Sequence, residues 1–240
     1  TVEVEGELLS AGYVDMTIEV MKEFGVDVSR EAGFFKVDEG FYQAREYEVP
    51  ADASSSSYFL SIPLILGRGE VFIENYLANS SQPDVVLLSF LKEMGAEVVA
   101  YPLGVKVRFE GRPKACEFNV GDCPDLFPTL CILLACAEGE GRIYGAPHLR
   151  YKETDRIKAM ATELKKLGVK VKELSDGIII EGREDFEPSR IQTYDDHRIA
   201  MAFAILGLKS DGIVLENPAC VEKSYPEFWE HLESVCLQNR

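Results

Sequence analysis

The sequence predicts an α/β chain of the α+β kind, assembled from β-α-β-α-β-β units that recur about every 70 residues. Two patterns predict it, each occurring three times, together with a 46% apolar composition that suits a packed interior.

The first pattern is an amphipathic helix that closes on glycine and leads into a valine-rich strand, over residues 13–28, 83–98 and 152–171. The closing residues are Gly25, Gly95 and Gly168, spaced by 70 and then 73. Glycine is expected there because the residue after a helix cap adopts a left-handed conformation that a Cβ disfavours. A second short strand ending in glycine follows each time, over 33–40, 104–111 and 176–182, so each helix feeds a two-strand pairing.

The second pattern begins at an aspartate in a polar turn. Asp52, Asp125 and Asp196 precede the apolar stretches 58–66, 130–137 and 199–206; Gly69, Gly141 and Gly212 then follow at 17, 16 and 16 residues from the aspartate, each before a strand. These stretches read as helices buried all round, whereas the first set is amphipathic.

In chain order, residues 1–46 form the second half of a unit, and 47–240 hold two complete units and a partial one that ends in a helix near 226–237. A lone half-unit cannot cover its own apolar face. The expectation is therefore a C-terminal domain of a longer protein, carrying a stub of its neighbour.

Composition removes several classes of function. The charge is −16, from 25 Lys plus Arg against 41 Asp plus Glu, which argues against a phosphate-backbone partner. An anionic small molecule would need a local basic pocket. The apolar runs are under half of a membrane span and the N-terminus has no signal pattern, so a cytoplasmic protein is expected. The six cysteines form no C-x-x-C pair and no metal or organic cofactor is expected; Cys131 and Cys136, inside an apolar run, read as small core residues.

The candidate chemistry sits on polar segments that open helices. Repeat symmetry gathers several helix N-termini at one end of the domain, where unpaired N–H groups favour phosphate or carboxylate. The run from Asp52 to Ser57 reads as an N-cap with tight packing. Residues 150–156 place Arg156 at a helix start, where the dipole disfavours a cation and an anion is expected. Residues 194–198 set Asp196, His197 and Arg198 at the mouth of an apolar helix, a cost unless they are paired or liganded. His197 alone reads more simply as a hydrogen-bonded structural residue, and Lys223 as a lone lysine before a helix.

Taken together, Asp125 in Cys-Pro-Asp-Leu, the run Lys152-Glu-Thr-Asp-Arg156, the run Tyr194-Asp-Asp-His-Arg198 and the run Lys223-Ser-Tyr-Pro226 resemble the ordered motif set of the 5-enolpyruvylshikimate-3-phosphate synthase family. The resemblance implies an enolpyruvyl-transferase-like fold of two domains, each with three such units about a pseudo-threefold axis, closing on substrates at their interface. It implies transfer of the enolpyruvyl group of phosphoenolpyruvate to the 5-hydroxyl of shikimate 3-phosphate, without metal or cofactor, by a protein monomeric at full length.

By the same resemblance, Ser10 and Tyr13 contact the phosphate of shikimate 3-phosphate, and Asp125 and Lys152 hold its ring hydroxyls. Asp125 is also the base on the attacking hydroxyl, and Glu153 the acid and base at the methylene carbon. Arg156, Arg198 and Lys223 form a cationic clamp on phosphoenolpyruvate, and Asp196 and His197 line the site. His148 stands where the family more often has asparagine. By the same resemblance, further basic residues and a Ser-Ser-Gln motif of the site are contributed by the family's other domain, so turnover by this chain alone is not expected. Two other readings are a non-catalytic domain of the same fold and the related UDP-N-acetylglucosamine enolpyruvyl transferase.

Overall fold

The computed structural model describes residues 1–6, 8–31 and 33–237, the side chains of Cys236 and Leu237 excepted. Three segments repeat one strand order. The first comprises β1 (Val2–Glu3), α1 (Ala11–Glu23), β2 (Val28–Glu31) and β3 (Phe34–Val37), paired β1-β3-β2. The second comprises α2 (Ala53–Leu66), β4 (Arg68–Glu74), α3 (Leu87–Glu93), β5 (Glu97–Tyr101) and β6 (Gly104–Glu110), paired β4-β6-β5. The third comprises β7 (Glu117–Asn119), α4 (Phe127–Cys136), β8 (Glu140–Tyr144), α5 (Arg156–Lys166), β9 (Lys170–Glu173) and β10 (Ile178–Glu181), paired β7-β8-β10-β9. The chain then runs through β11 (Ser189–Ile191), α6 (His197–Leu206) and β12 (Ile213–Leu215) to α7 (Phe228–Leu237).

Every closing hairpin is antiparallel, whereas β7 pairs β8, and β11 pairs β12, in parallel across a buried helix. Among the described residues only the unit of β7 to β10 has all six elements. The preceding unit lacks its opening strand: residues 38–52 carry no strand, and one bond, Ala51 N–H to Asn75 O at 2.8 Å, stands where the parallel pairing would run. Pro50 has no N–H to extend the ladder, and Asn75 turns left-handed at φ 54°, so the extended partner stops there.

The three glycines that close the amphipathic helices are left-handed, at φ 82° for Gly25, 105° for Gly95 and 78° for Gly168. The same pair of bonds recurs at each: Val26 to Met21 and Gly25 to Lys22, Ala96 to Leu91 and Gly95 to Lys92, Val169 to Leu164 and Gly168 to Lys165. This double bond caps carbonyls the helix leaves unpaired.

Helices α2, α4 and α6 touch one another at the centre, and every residue of α4 is buried. A polar bridge between α2 and α4 joins the Ser57 and Thr129 hydroxyls, both fully buried, at 3.0 Å. Cys131 and Cys136 are buried in α4, as their apolar setting predicts. Phe228 of α7 covers α2, with ring centroids 6.0 Å from Tyr58 and 5.9 Å from Phe59. Among the described residues no helix is long and apolar enough to cross a membrane.

Candidate active site

The openings of α4, α5 and α6 converge. Asp196 caps α6, accepting from the Arg198 and Ile199 N–H groups at 2.9 and 3.4 Å. Asp125 sits on a one-turn 3-10 helix (Pro124–Leu126) that runs into α4. Asp155 caps α5 by accepting from the Lys158 N–H at 3.0 Å, and Arg150 steadies it at 2.8 Å. That fixes Arg156 as the first residue of α5.

The Arg156 guanidinium, with 1% of its side chain exposed, is the hub. It donates from Nε to Asp196 at 2.7 Å, from Nη1 to Asp125 at 2.9 Å, and from Nη2 to Glu153 at 2.8 Å and to Asp196 at 3.5 Å. Of five N–H donors, one on Nη1 remains. The cation at the helix start is therefore satisfied by three carboxylates of the chain itself. Arg198 Nη2 donates to the second oxygen of Asp125 at 2.9 Å, and Lys223, ending a 3-10 helix (Pro218–Lys223), donates to Glu153 at 2.6 Å. The result is a continuous line, Lys223–Glu153–Arg156–Asp125–Arg198, in which three cations face three carboxylates once Asp196 is included.

Burial pushes the Asp125 carboxyl up, but Arg198 and Arg156 outweigh it and hold it below its ordinary value. For Glu153 burial again acts upward, and is overcome by the Lys223 hydrogen bond, a backbone hydrogen bond and the Arg156 charge, which bring it to about 2. Both are carboxylates at neutral pH. Burial and Arg198 lower the His197 imidazole, and burial and Lys152 lower that of His148, so both rings are neutral. His197 is buried, with Nδ1 unpartnered, and both His148 ring nitrogens are without partners among the described residues.

The remaining candidates stand apart from this line. Lys152 is exposed and makes no ion pair among the described residues. Ser10 is left-handed at φ 56° at the N-cap of α1 and gives its helix no side-chain cap bond. Tyr13 Oη donates to Asp84, 3.2 and 3.1 Å from its two oxygens. Tyr13 and Asp84 nevertheless share a cavity of about 250 Å³ with Asp125 and Arg198. A larger cavity, about 760 Å³, lies between α1 and the segments 47–52 and 77–82, and none of the candidates lines it.

Sequence reasoning missed Asp84 and Tyr58. Tyr58, fully buried in α2 beside Arg198, has a hydroxyl that burial pushes up to about 12 against the pull of that guanidinium. Each reads in sequence as an ordinary helix residue, and only the opposing chain segment makes it part of the site.

Residues 1–232 match the family profile of EPSP synthase (3-phosphoshikimate 1-carboxyvinyltransferase). The chain belongs to the EPSP synthase family. It is 41% identical over 237 residues to the 3-phosphoshikimate 1-carboxyvinyltransferase of Methanothermobacter thermautotrophicus, covering 98% of this chain and 56% of that protein. Against the Methanopyrus kandleri protein of the same name it is 43% identical over 235 residues, covering 98% and 54%. The chain thus spans about half the length of the curated relatives it matches. A solved EPSP synthase from Acinetobacter baumannii superposes with a TM-score of 0.74 at 32% identity, over 88% of this chain and 52% of that one. The fold is therefore the α/β enolpyruvyl-transferase fold of EPSP synthase.

Proposed function

We propose that this chain supplies one wall of a 3-phosphoshikimate 1-carboxyvinyltransferase site, acting with a second wall outside the 240 residues. Asp125 takes the proton of the 5-hydroxyl as its oxygen bonds to C2 of phosphoenolpyruvate, and Glu153 gives a proton to C3. In the second half Glu153 removes a proton from C3 while the C2–O bond to phosphate breaks and phosphate leaves. Ser10, Tyr13, His148 and Lys152 hold shikimate 3-phosphate, and Arg156, Arg198 and Lys223 bind the phosphoenolpyruvate anion, with Asp196 and His197 lining the site.

The observation that carries this reading is that one guanidinium bridges the two carboxylates, Arg156 lying 2.9 Å from Asp125 and 2.8 Å from Glu153. The cations that would bind the anion are those now neutralising the acid and the base. An anion that draws Arg156, Arg198 and Lys223 toward itself raises both carboxyl pKa values, making Asp125 a stronger base and Glu153 an acid able to hold a proton. Binding and activation are then one event.

The test is a complementation assay, in which this chain is combined with the N-terminal half of a full-length relative. Turnover should fall about 100-fold or more in Glu153→Gln, and by a similar factor in Arg198→Gln. Unchanged turnover in both sinks the catalytic reading and leaves a binding domain.

A further inference from the structure

We propose that Asp84 is a positioning residue that sets the direction of the Tyr13 hydroxyl: as carboxylate it accepts the phenolic proton, and as acid it donates to Tyr13, freeing that hydroxyl to donate to a phosphate-type anion. The inference rests on the reading of Tyr13 as an anion contact, and deepens it.

A phenol has one hydrogen to give. In this structure Tyr13 gives it to Asp84, 3.1 and 3.2 Å from the two oxygens, so its outward side presents lone pairs, which an anion avoids. Asp84 is 1% exposed and is also held by the buried Ser54 hydroxyl, a bond that fixes its carboxyl against α2 and aims it at Tyr13. Rotation of Tyr13 away from Asp84 would leave a buried carboxylate short of a donor. Gaining a proton avoids that loss.

The surroundings favour the proton. The groups facing Asp84 are Tyr13 from α1, Asp52 and Ser54 from the start of α2, the buried Tyr76 beyond β4, Cys123 and Asp125 before α4, and Arg198 from α6. The cavity walls thus carry the carboxylates Asp52, Asp84 and Asp125 against the guanidinium of Arg198, which already donates to Asp125. A further anion there would meet an acidic wall, and a proton taken from solvent onto Asp84 removes one of its charges. Burial is the main reason that Asp84 holds its proton up to about pH 6, Asp125 adding to it and the Ser54, Tyr13 and Arg198 interactions opposing it.

Calorimetry of the 240-residue chain with sodium sulfate provides the test, since sulfate does not titrate near neutral pH. Runs in buffers of different ionisation enthalpy count the protons taken up. Wild-type protein should take up a proton on binding at pH 7, with affinity falling about tenfold per pH unit above the Asp84 value. In Asp84→Asn the amide donates to Tyr13 at every pH, so uptake should vanish and the affinity profile flatten. Tyr13→Phe, which leaves Asp84 in place, should bind sulfate more weakly and lose most of the pH dependence. Equal proton uptake in wild type and Asp84→Asn overturns the proposal, as does a failure of the wild-type chain to bind sulfate. A parallel titration with shikimate 3-phosphate separates the two readings. If that ligand does not bind while Asp84-linked sulfate binding persists, the substrate assignment fails and the Asp84 assignment stands.

Discussion

Lys223 Nζ lies 2.6 Å from Glu153 Oε1, joining residues 70 apart in sequence. Against the upward push of burial, this pair acts with a backbone hydrogen bond and the Arg156 charge to bring Glu153 to about 2, far below the value of about 4.3 for a free glutamate. Because the folded value is the lower one, the stabilisation is present above about pH 4.3 and is lost as pH falls through the folded value. Lys223→Met should move the Glu153 titration upward, toward its ordinary range, in carbon-detected NMR. A titration that stays near 2 would mean that Arg156 and the backbone bond suffice.

Arg156 is buried against Asp125, Glu153 and Asp196, so removing it strands carboxylates rather than one contact. Arg156→Leu should cost about 3–5 kcal/mol in urea unfolding. Arg156→Lys should recover only part of this, because an ammonium cannot reproduce the planar fork that reaches three partners. Full recovery by lysine would show that charge, not geometry, holds the hub.

The Ser57–Thr129 bridge between α2 and α4 suits a double-mutant cycle. Thr129→Val alone should destabilise by about 1–3 kcal/mol, since it leaves the Ser57 hydroxyl without this partner in the core. Adding Ser57→Ala should return much of that loss. Additive effects would show that the two hydroxyls are not coupled.

Gly95→Ala isolates the backbone. A Cβ there would meet nothing closer than the Phe109 ring at 3.6 Å, so the left-handed φ of 105° is the whole difficulty. A loss of about 1–2 kcal/mol in thermal unfolding is expected. A neutral result would mean the cap can relax to a negative φ.

The repeat was legible because its punctuation is local. Gly25, Gly95 and Gly168 are required by the conformation of the residue after the cap, and that requirement does not depend on the rest of the molecule. The apolar character of α4 and α6 likewise announces burial. Legibility ended where partners are distant in sequence. Arg156 looked like a cation awaiting an anion because Asp125 and Asp196, 31 and 40 residues away, were not visible as its neighbours. Asp84 resembles any acidic residue in a first helical turn until Tyr13, 71 residues earlier, is placed against it. The missing strand before α2 followed from Pro50 and the left-handed Asn75, local details that the average pattern of the repeat concealed.

The shared strand order has a consequence for how the chain is made. In β1-β3-β2, β4-β6-β5 and β8-β10-β9, the strand bonded on both sides is the last of its segment to be synthesised. The two flanking strands leave the ribosome first and have no bonds to each other, so each of these three-strand sets stays open until its final strand arrives, although β7 and β8 can pair earlier. Each repeat is therefore expected to become protease-resistant during synthesis only once its closing hairpin has emerged, which limited proteolysis of stalled nascent chains would check.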